Sequence, residues 1–264
     1  MRGAVSLTAA LLLGILQGLT EFLPISSSGH LVLLQSFLRV NPAGLGLELA
    51  LHLGTLLAVV MVFRREVADL AVVALRPALW RTEQASGLRA IAISTVCTGL
   101  VALALRAQVS AAYESVRLTG FGFLLSTVAL FSISLVRRGE WLQGRGTARA
   151  IIVGVVQGVA AWPGLSRSGA TIAAGLWSGM DQEAAARYSF LLSVPTIVLA
   201  SAAQFLAGPA PHVSVVTMAV AVLASAVTGT AALLWLLRIV RQGHLAWFGL
   251  YTLALALLIL VGMQ

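Results

Sequence analysis

Residues 14–29 read GILQGLTEFLPISSSG, and a related stretch at residues 154–169 reads GVVQGVAAWPGLSRSG. The stretches are 140 residues apart and share six of sixteen positions, where chance would give about one identity. Most of the other positions exchange one apolar residue for another. The pattern indicates an internal duplication, which divides a single integral membrane domain, residues 1–264, into halves at about 1–139 and 140–264.

The composition is that of a membrane protein. Of the 264 residues, 59% are apolar and only 10% are charged, which excludes an ordinary soluble domain. All 17 basic residues are arginines, and they lie in short clusters between apolar runs. The net charge of +8 therefore does not indicate nucleic-acid binding. The single cysteine, Cys97, has no partner for an intrachain disulfide.

Apolar runs predict how the chain crosses the membrane. Two stretches, about 4–39 and 147–180, are interrupted by proline, glycine and serines, and irregular backbone at membrane depth must be buried or line a cavity. Each stretch is therefore predicted to be a re-entrant helix pair. The predicted fold class is an all-α polytopic membrane protein with these two pairs and six transmembrane helices. The predicted transmembrane helices lie at about 45–63, 88–106, 117–136, 184–207, 213–237 and 245–262.

Each half then holds one re-entrant pair and three crossing helices, and an odd number of crossings gives the two halves inverted topology. One side of the membrane would hold 12 arginines, in residues 64–89, 137–149 and 238–244 and at Arg187. That side is predicted to be cytoplasmic, with both termini outside and the two re-entrant tips meeting near the midplane. The opposite side would hold Arg2, Arg39, Arg106 and Arg117.

The first interrupted stretch contains polar residues that suit a functional site. Gln17 and Glu21 lie one helical turn apart and share a face. A carboxylate in such a stretch costs about 2.5–3.5 kcal/mol, so it is expected to face a cavity, a cation or a positive partner. Contact between helices is the alternative explanation for this pair.

The predicted tip of the first stretch consists of the five residues that follow Ile25. Ser26, Ser27, Ser28, Gly29 and His30 place hydroxyls and free backbone N–H groups at a helix N-terminus, which predicts an anion site. His30 returns to the side of Ser27 if the helix begins there, which suggests a nucleophile and its base. Helix capping alone would need only one of the serines.

The second tip carries Arg167 at the position that corresponds to Ser27. A guanidinium near the midplane needs a partner, which would be Glu21 or an anionic ligand held through two hydrogen bonds. We interpret Arg167 as a phosphate ligand that can take either partner in turn. Its predicted helpers in substrate binding are Gly164, Ser166, Ser168, Gly169 and Thr171.

Together these residues predict phosphoryl transfer or phosphate recognition on a lipid, since the sequence carries no nucleotide-binding motif. A lipid flippase or secondary transporter that uses the same anion site is the alternative. Glu48 and His52, one turn apart, would line the entrance or form an ordinary pair within one helix.

The chain resembles the undecaprenyl-diphosphate phosphatases associated with bacitracin resistance. The resemblance is carried by Gln17 to Glu21, Pro24 to His30 and Pro163 to Thr171, which match the family's (E/Q)xxxE, PxSSSGH and PGxSRSGxT signatures, and it runs through nearly the whole chain. Two departures are Gln17, where the family also has Glu, and His52, where Gln is expected.

The resemblance implies hydrolysis of a polyprenyl diphosphate lipid to the monophosphate, which recycles the carrier lipid for cell-wall synthesis. It also implies a bacterial plasma (inner) membrane location, a site that opens to the extracytoplasmic side, and a divalent cation, Mg²⁺ or Ca²⁺, bound at Glu21 with Gln17 beside it. In this hypothesis Ser27 is the nucleophile, His30 its base and Arg167 the ligand of the developing charge. Attack by His30 or by a metal-bound water is the alternative, and a homo-oligomer is left open.

Overall fold

The computed structural model describes residues 6–38, 45–135, 146–206 and 213–262, and no β-strand occurs in these ranges. The helices there are α1 (Leu7–Phe22), α2 (Ser27–Leu38), α3 (Leu45–Val62), α4 (Arg64–Ala74), α5 (Ser86–Ala104), α6 (Arg106–Tyr113), α7 (Val116–Ser132), α8 (Gly146–Val159), α9 (Arg167–Trp177), α10 (Gln182–Leu206), α11 (Val215–Gln242) and α12 (Phe248–Gly262). The predicted all-α class is therefore confirmed.

Five helices in the described ranges are long and apolar enough to cross a membrane, and a bent pair raises the number to six. The five are α5, α7, α10, α11 and α12, at the places that the sequence predicts. The sixth predicted span is α3, which meets α4 at an angle of 92°. The chain is a multi-pass membrane protein.

Some boundaries differ from the prediction. The span predicted to end at residue 237 continues to Gln242, where Gly243 ends the helix in a left-handed conformation with φ of 77°. The long side chains of Arg238 and Arg241 let the helix continue past the apolar run, because their charged ends can reach water. Some predictions concern residues outside the described ranges. They are the ends of the predicted stretches at 4–5, 39, 136 and 207, and the predicted loop positions Arg2, Arg39, Arg137, Arg138 and Arg145.

Both interrupted stretches are broken where the sequence predicts. The first loop, residues 23–26, separates α1 from α2, and the second loop, residues 160–166, separates α8 from α9. Ser26 has a φ of 67°, an uncommon left-handed conformation for a residue with a side chain, and Gly164 has a φ of 87°. These conformations turn the chain sharply enough for a second helix to begin at once.

An aromatic cluster fixes the end of α1 directly before the first loop. The Phe22 ring packs edge-on against Phe190 of α10, with ring centroids 5.8 Å apart, and Phe63 lies on the same ring at 6.1 Å. Phe22, Phe63 and Phe190 are all buried in the largest apolar core. The first loop is therefore held by the packing of helices from both halves.

Glycines let α1 and α8 approach their neighbours closely. A Cβ atom on Gly18 of α1 would lie 2.6 Å from the backbone nitrogen of Gly229 in α11. A Cβ atom on Gly154 of α8 would lie 2.5 Å from the Ser94 carbonyl oxygen in α5. The first helix of each interrupted stretch thus packs backbone to backbone against a long helix, a contact that only small residues allow.

Replacing Gly154 by alanine should lower the apparent unfolding temperature of the detergent-solubilised protein, because the new methyl group would overlap the Ser94 backbone. Overpacking of this kind costs about 1–3 kcal/mol, which corresponds to about 2–4 °C for each kcal/mol. Gly99→Ala is the matched control on α5, since a Cβ atom there meets nothing within 4 Å. Equal losses in both variants would contradict this account of the α5–α8 contact.

Candidate functional site

The two loops meet. A Cβ atom on Gly29, at the start of α2, would lie 2.8 Å from the Cα atom of Gly164 in the second loop. The Ser168 hydroxyl, at the start of α9, donates a hydrogen bond of 3.4 Å to the Leu23 carbonyl oxygen in the first loop. Glycine at position 29 allows this approach, because a side chain there would collide with Gly164 of the second loop. The N-termini of α2 and α9 are therefore neighbours.

Helix α7 holds the second loop in place. The Ser126 hydroxyl donates to the Gly164 carbonyl oxygen at 2.8 Å and accepts from the Ser166 N–H group at 2.6 Å. Gly122 lies so close to the loop that a Cβ atom there would be 2.1 Å from the Pro163 carbonyl oxygen. Ser126 was not predicted as part of the site, because hydroxyl residues are spread along this apolar helix and nothing in the sequence distinguishes Ser126 from Thr127 beside it.

The same capping pattern occurs at both helix starts. In α2 the Gly29 N–H group donates to the Ser26 hydroxyl at 3.2 Å, and in α9 the Gly169 N–H group donates to Ser166 at 3.1 Å. Each capping serine also lies 3.2 Å from the hydroxyl two residues later, which belongs to Ser28 or Ser168. Helix α2 begins at Ser27 as predicted, and Ser26 is the serine that caps it.

Glu21 connects the two tips. One of its carboxylate oxygens accepts a hydrogen bond from the Arg167 guanidinium. The other accepts from the Ser27 hydroxyl at 2.5 Å and from the Gln17 amide at 3.0 Å. The Glu21 side chain is only 4% exposed, whereas that of Arg167 is 27% exposed. Arg167 thus neutralises a buried carboxylate while keeping one side accessible.

The His30 ring has partners other than Ser27. Its Nδ1 atom lies 2.7 Å from the Ser26 carbonyl oxygen, and its Nε2 atom lies 2.7 Å from the Tyr251 hydroxyl of α12. A carbonyl can only accept, so Nδ1 carries the proton and Nε2 accepts from the tyrosine. The two rings are stacked with centroids 5.7 Å apart, and Phe123 packs edge-on against His30. The first-loop carbonyl and α12 together fix the orientation of the imidazole.

Other predicted residues lie near the tips with different contacts. The Thr171 hydroxyl donates to the Arg167 carbonyl oxygen at 2.7 Å and lies 2.5 Å from the Ser189 hydroxyl of α10. Without a ligand, its hydroxyl is thus engaged within the helix bundle. His52 of α3 bonds through Nδ1 to the Glu48 carbonyl oxygen at 2.9 Å, a contact within one helix.

Tyr113, at the end of α6, is a neighbour of the site that the sequence did not reveal. Its hydroxyl interacts with the Ser28 side chain, and the charges of Glu48, Glu21 and Arg167 all act on it. Desolvation of the hydroxyl, followed by the nearby Glu48 carboxylate, raises the pKa of Tyr113 to about 12, while 46% of the residue surface stays exposed. The phenol is therefore protonated at neutral pH and can donate a hydrogen bond beside Ser28.

The atoms near the first tip that could bind a metal ion are oxygens, which hard cations such as Mg²⁺ and Ca²⁺ prefer. In the described ranges no three His, Cys, Asp or Glu residues come together as a metal cage. The buried Gln17 has a side-chain oxygen that finds no hydrogen-bond partner among the described residues, one turn from the Glu21 carboxylate. Gln157, at the corresponding position of α8, has a similarly unpaired oxygen, but Ala161 stands where Glu21 would be. A divalent cation therefore fits the first tip only if the substrate supplies further oxygens.

The chain matches the sequence model of the bacitracin resistance protein BacA over residues 10–258. The chain belongs to the BacA family. This match covers both loops and the second interrupted stretch, and it covers the first stretch from residue 10 onward, so it includes every residue of the site described above.

Several proteins named undecaprenyl-diphosphatase are similar to the chain over nearly their whole length. One from Desulfatibacillum aliphaticivorans is 41% identical over 91% of this chain and 92% of that protein. One from Korarchaeum cryptofilum is 38% identical over 97% of this chain and 99% of that protein. One from Desulfosudis oleivorans is 42% identical over 90% of this chain and 92% of that protein.

The Glu21–Arg167 ion pair should contribute to stability as a unit. Glu21→Gln or Arg167→Gln alone should lower the apparent unfolding temperature in detergent, because each leaves one buried charge without its partner, a change that costs about 3–5 kcal/mol in buried pairs. The unfolding temperature of the double variant should fall by less than the sum of the decreases in the two single variants. Strictly additive losses in this double-mutant cycle would show that the two side chains do not interact.

Proposed function

We propose that the protein hydrolyses undecaprenyl diphosphate in the membrane, giving the monophosphate and inorganic phosphate. The observation that carries the proposal is the contact of Ser27, Glu21 and Arg167 at the meeting point of two helix N-termini. This arrangement provides a nucleophile, a proton acceptor and a phosphate ligand. Membership of the BacA family and the names of the similar proteins support the same activity.

We further propose that α1–α2 and α8–α9 are re-entrant pairs of an inverted repeat that enter the membrane from opposite sides. The repeated capping pattern, the matching breaks and the glycine contacts of α1 and α8 support this arrangement. The distribution of arginines favours a site that opens to the outside of a bacterial plasma membrane. Monophosphate made there would return the carrier lipid to cell-wall synthesis.

The proposed binding mode begins with an exchange of partners at Arg167. In the free protein the guanidinium binds Glu21, and 27% of the Arg167 side chain stays exposed. A diphosphate brings more negative charge than one carboxylate and can accept two hydrogen bonds from the guanidinium. The N–H groups at the starts of α2 and α9 add donors and favourable dipoles. The terminal phosphate then lies between Arg167 and Ser27.

The exchange frees the Glu21 oxygen that bound Arg167, while the other oxygen keeps its hydrogen bond from the Ser27 hydroxyl and can accept that proton. The Ser27 oxygen attacks the terminal phosphorus while its proton passes to Glu21. The bond to the bridging oxygen breaks, and the lipid monophosphate leaves with the electron pair. Water then hydrolyses the phosphoserine and releases phosphate. Arg167 and the helix N-termini balance the negative charge during both steps.

In the free protein the Ser27 hydroxyl donates to Glu21, which favours Glu21 as the acceptor of the Ser27 proton. His30 then remains as the base for hydrolysis of the phosphoserine. Its Nε2 atom can accept a proton from the attacking water after the Tyr251 hydroxyl turns away. Direct attack by His30 or by a metal-bound water would make Ser27 dispensable.

A divalent cation, Mg²⁺ or Ca²⁺, would be held by Glu21, the unpaired oxygen of Gln17 and the diphosphate itself. When bound, it would supply positive charge that helps to neutralise the diphosphate. Gln17 and Glu21 position these oxygens one helical turn apart on α1.

A lipid carrier with the same anion site is the second candidate. The relatives compared above are named as diphosphatases, which favours hydrolysis. The one-sided placement of Glu21, Ser27 and His30 favours hydrolysis too, because a carrier needs an anion site but no nucleophile. Purified protein given a polyprenyl diphosphate and Mg²⁺ should release orthophosphate, and binding without release would indicate the carrier.

Ser27→Ala should reduce phosphate release by at least about a thousandfold, because the nucleophile is removed while the fold keeps its capping residue Ser26. Ser193→Ala is a matched control, since that buried hydroxyl bonds only to the Phe190 carbonyl oxygen within its own helix. Release by the control should stay within about twofold of wild type. Turnover of the Ser27 variant within a few-fold of wild type would discard the serine nucleophile.

Chelation by EDTA should stop phosphate release, and Mg²⁺ should restore it. Gln17→Leu should raise the Mg²⁺ concentration for half-maximal rate by about tenfold, since it removes an oxygen beside Glu21. Gln157→Leu provides the control, because its unpaired oxygen lies in the second half without a carboxylate. Similar Mg²⁺ dependence in the two variants would contradict a role for Gln17 in cation binding.

A further inference from the structure

Helix α4 lies across the end of a membrane-spanning helix. It begins two residues after α3 ends, and the two helices meet at an angle of 92°. Because α3 crosses the bilayer, an angle near 90° places α4 along the membrane surface. The chain then turns back into the bilayer through α5, which begins at Ser86. Residues 64–82, which comprise α4 and most of this turn, are called the in-plane segment below.

One face of α4 packs against the rest of the protein. Glu66 accepts a hydrogen bond of 2.6 Å from Arg187 of α10, and Val73 is buried. Val67 packs against the largest apolar core, which also contains Phe22 directly before the first loop. This face fixes α4 in the fold, so a ligand that binds α4 in this position should stabilise the whole protein.

The other face of the in-plane segment combines arginines with exposed apolar side chains. Leu75 is 83% exposed, Trp80 is 51% exposed and Val72 is 45% exposed. Arg65 and Arg76 are exposed as well. Arginines beside large apolar side chains on a helix that lies along the membrane are typical of binding at the interface between head groups and acyl chains.

Hydrogen bonds hold the turn after α4 in place. The Trp80 indole N–H group donates to the carbonyl oxygens of Val73 and Ala74 at 3.1 and 3.2 Å, which satisfies acceptors at the end of α4. Arg89 of α5 donates to the carbonyl oxygens of Trp80 and Thr82, both at 2.8 Å. The exposed surface is therefore formed before any ligand binds.

The in-plane segment also carries positive charge that the protein does not neutralise. Residues 64–89 contain five arginines and only three acidic residues, and one of these acids, Glu66, is bound to Arg187. Arg76 and Arg81 have no hydrogen bond or ion pair among the described residues. Arg89 bonds to carbonyl oxygens, which leave its full charge in place. The complementary ligand is an anion.

We propose that the in-plane segment binds the head groups of anionic phospholipids. Arg76 and Arg81 bind the lipid phosphates, while Leu75 and Trp80 lie among the upper parts of the acyl chains. A soluble anion would satisfy the arginines but leave these apolar side chains in water, so a lipid fits the surface better. The proposal does not depend on the proposed hydrolysis, because no residue of the in-plane segment belongs to the candidate site.

The experiment measures the apparent unfolding temperature of the full chain, purified in detergent and depleted of lipid, as phosphatidylglycerol is added. Phosphatidylglycerol should raise this temperature more than phosphatidylcholine with the same acyl chains, because a ligand that binds only the folded protein stabilises it. Arg76→Gln/Arg81→Gln should raise the half-saturating concentration of phosphatidylglycerol by about tenfold, since each arginine near an anionic surface adds to the affinity. Arg106→Gln/Arg117→Gln is the matched control, because it removes two exposed arginines outside the in-plane segment. The control should stay within about twofold of wild type.

Leu75→Ser tests the apolar part of the same surface. It should raise the half-saturating concentration of phosphatidylglycerol by about fivefold, because a side chain that contacts the lipid is lost. The unfolding temperature of the lipid-free variant should not change, since Leu75 is mostly exposed in the protein itself. Leu206→Ser is the matched control, because Leu206 is also 83% exposed and lies at the end of α10.

Equal stabilisation by phosphatidylcholine and phosphatidylglycerol would overturn the proposal. So would wild-type affinity for phosphatidylglycerol in Arg76→Gln/Arg81→Gln. An equal loss of affinity in Arg106→Gln/Arg117→Gln would overturn it as well, because the net charge of the protein would then govern binding in place of the in-plane segment.

Discussion

The ion pair between Glu21 and Arg167 is the interaction on which the site depends. A single charge of either sign is expensive at membrane depth, and each of these two compensates the other across the contact between the loops. Because the partners come from different halves of the chain, the pair fixes the position of one interrupted helix relative to the other. It also keeps Ser27 beside its carboxylate and leaves part of the Arg167 side chain exposed.

Much of the fold could be predicted because its signals are local. Apolar runs of sufficient length give the spanning helices, and the proline, glycine and serine residues of the two repeated stretches give the breaks. The start of α2 at Ser27 follows from the serine cap, and the Arg167–Glu21 contact follows from the cost of unpaired charge. The 92° bend between α3 and α4 was not predicted, because two arginines at the end of an apolar run indicate only that the span ends there.

The detailed contacts of the site could not be predicted because they join residues distant in sequence. His30 was expected beside Ser27, whereas its ring nitrogens bond to Ser26 and to Tyr251, which is 221 residues away. Tyr113 and Ser126 likewise belong to no motif in the sequence, and only the packing of their helices brings them to the tips. The roles in catalysis and cation binding stay predictions from chemistry.

Ser27 and Arg167 occupy the same position in two copies of one motif, and this has an evolutionary consequence. An assembly of two identical ancestors would have placed either two hydroxyls or two guanidiniums face to face. Two hydroxyls lack a cation for the diphosphate, and two guanidiniums repel each other and lack a nucleophile. If the two halves arose by duplication, their union in one polypeptide would let each copy change separately, so a divergence at one position could turn a symmetric cleft into a directional catalyst.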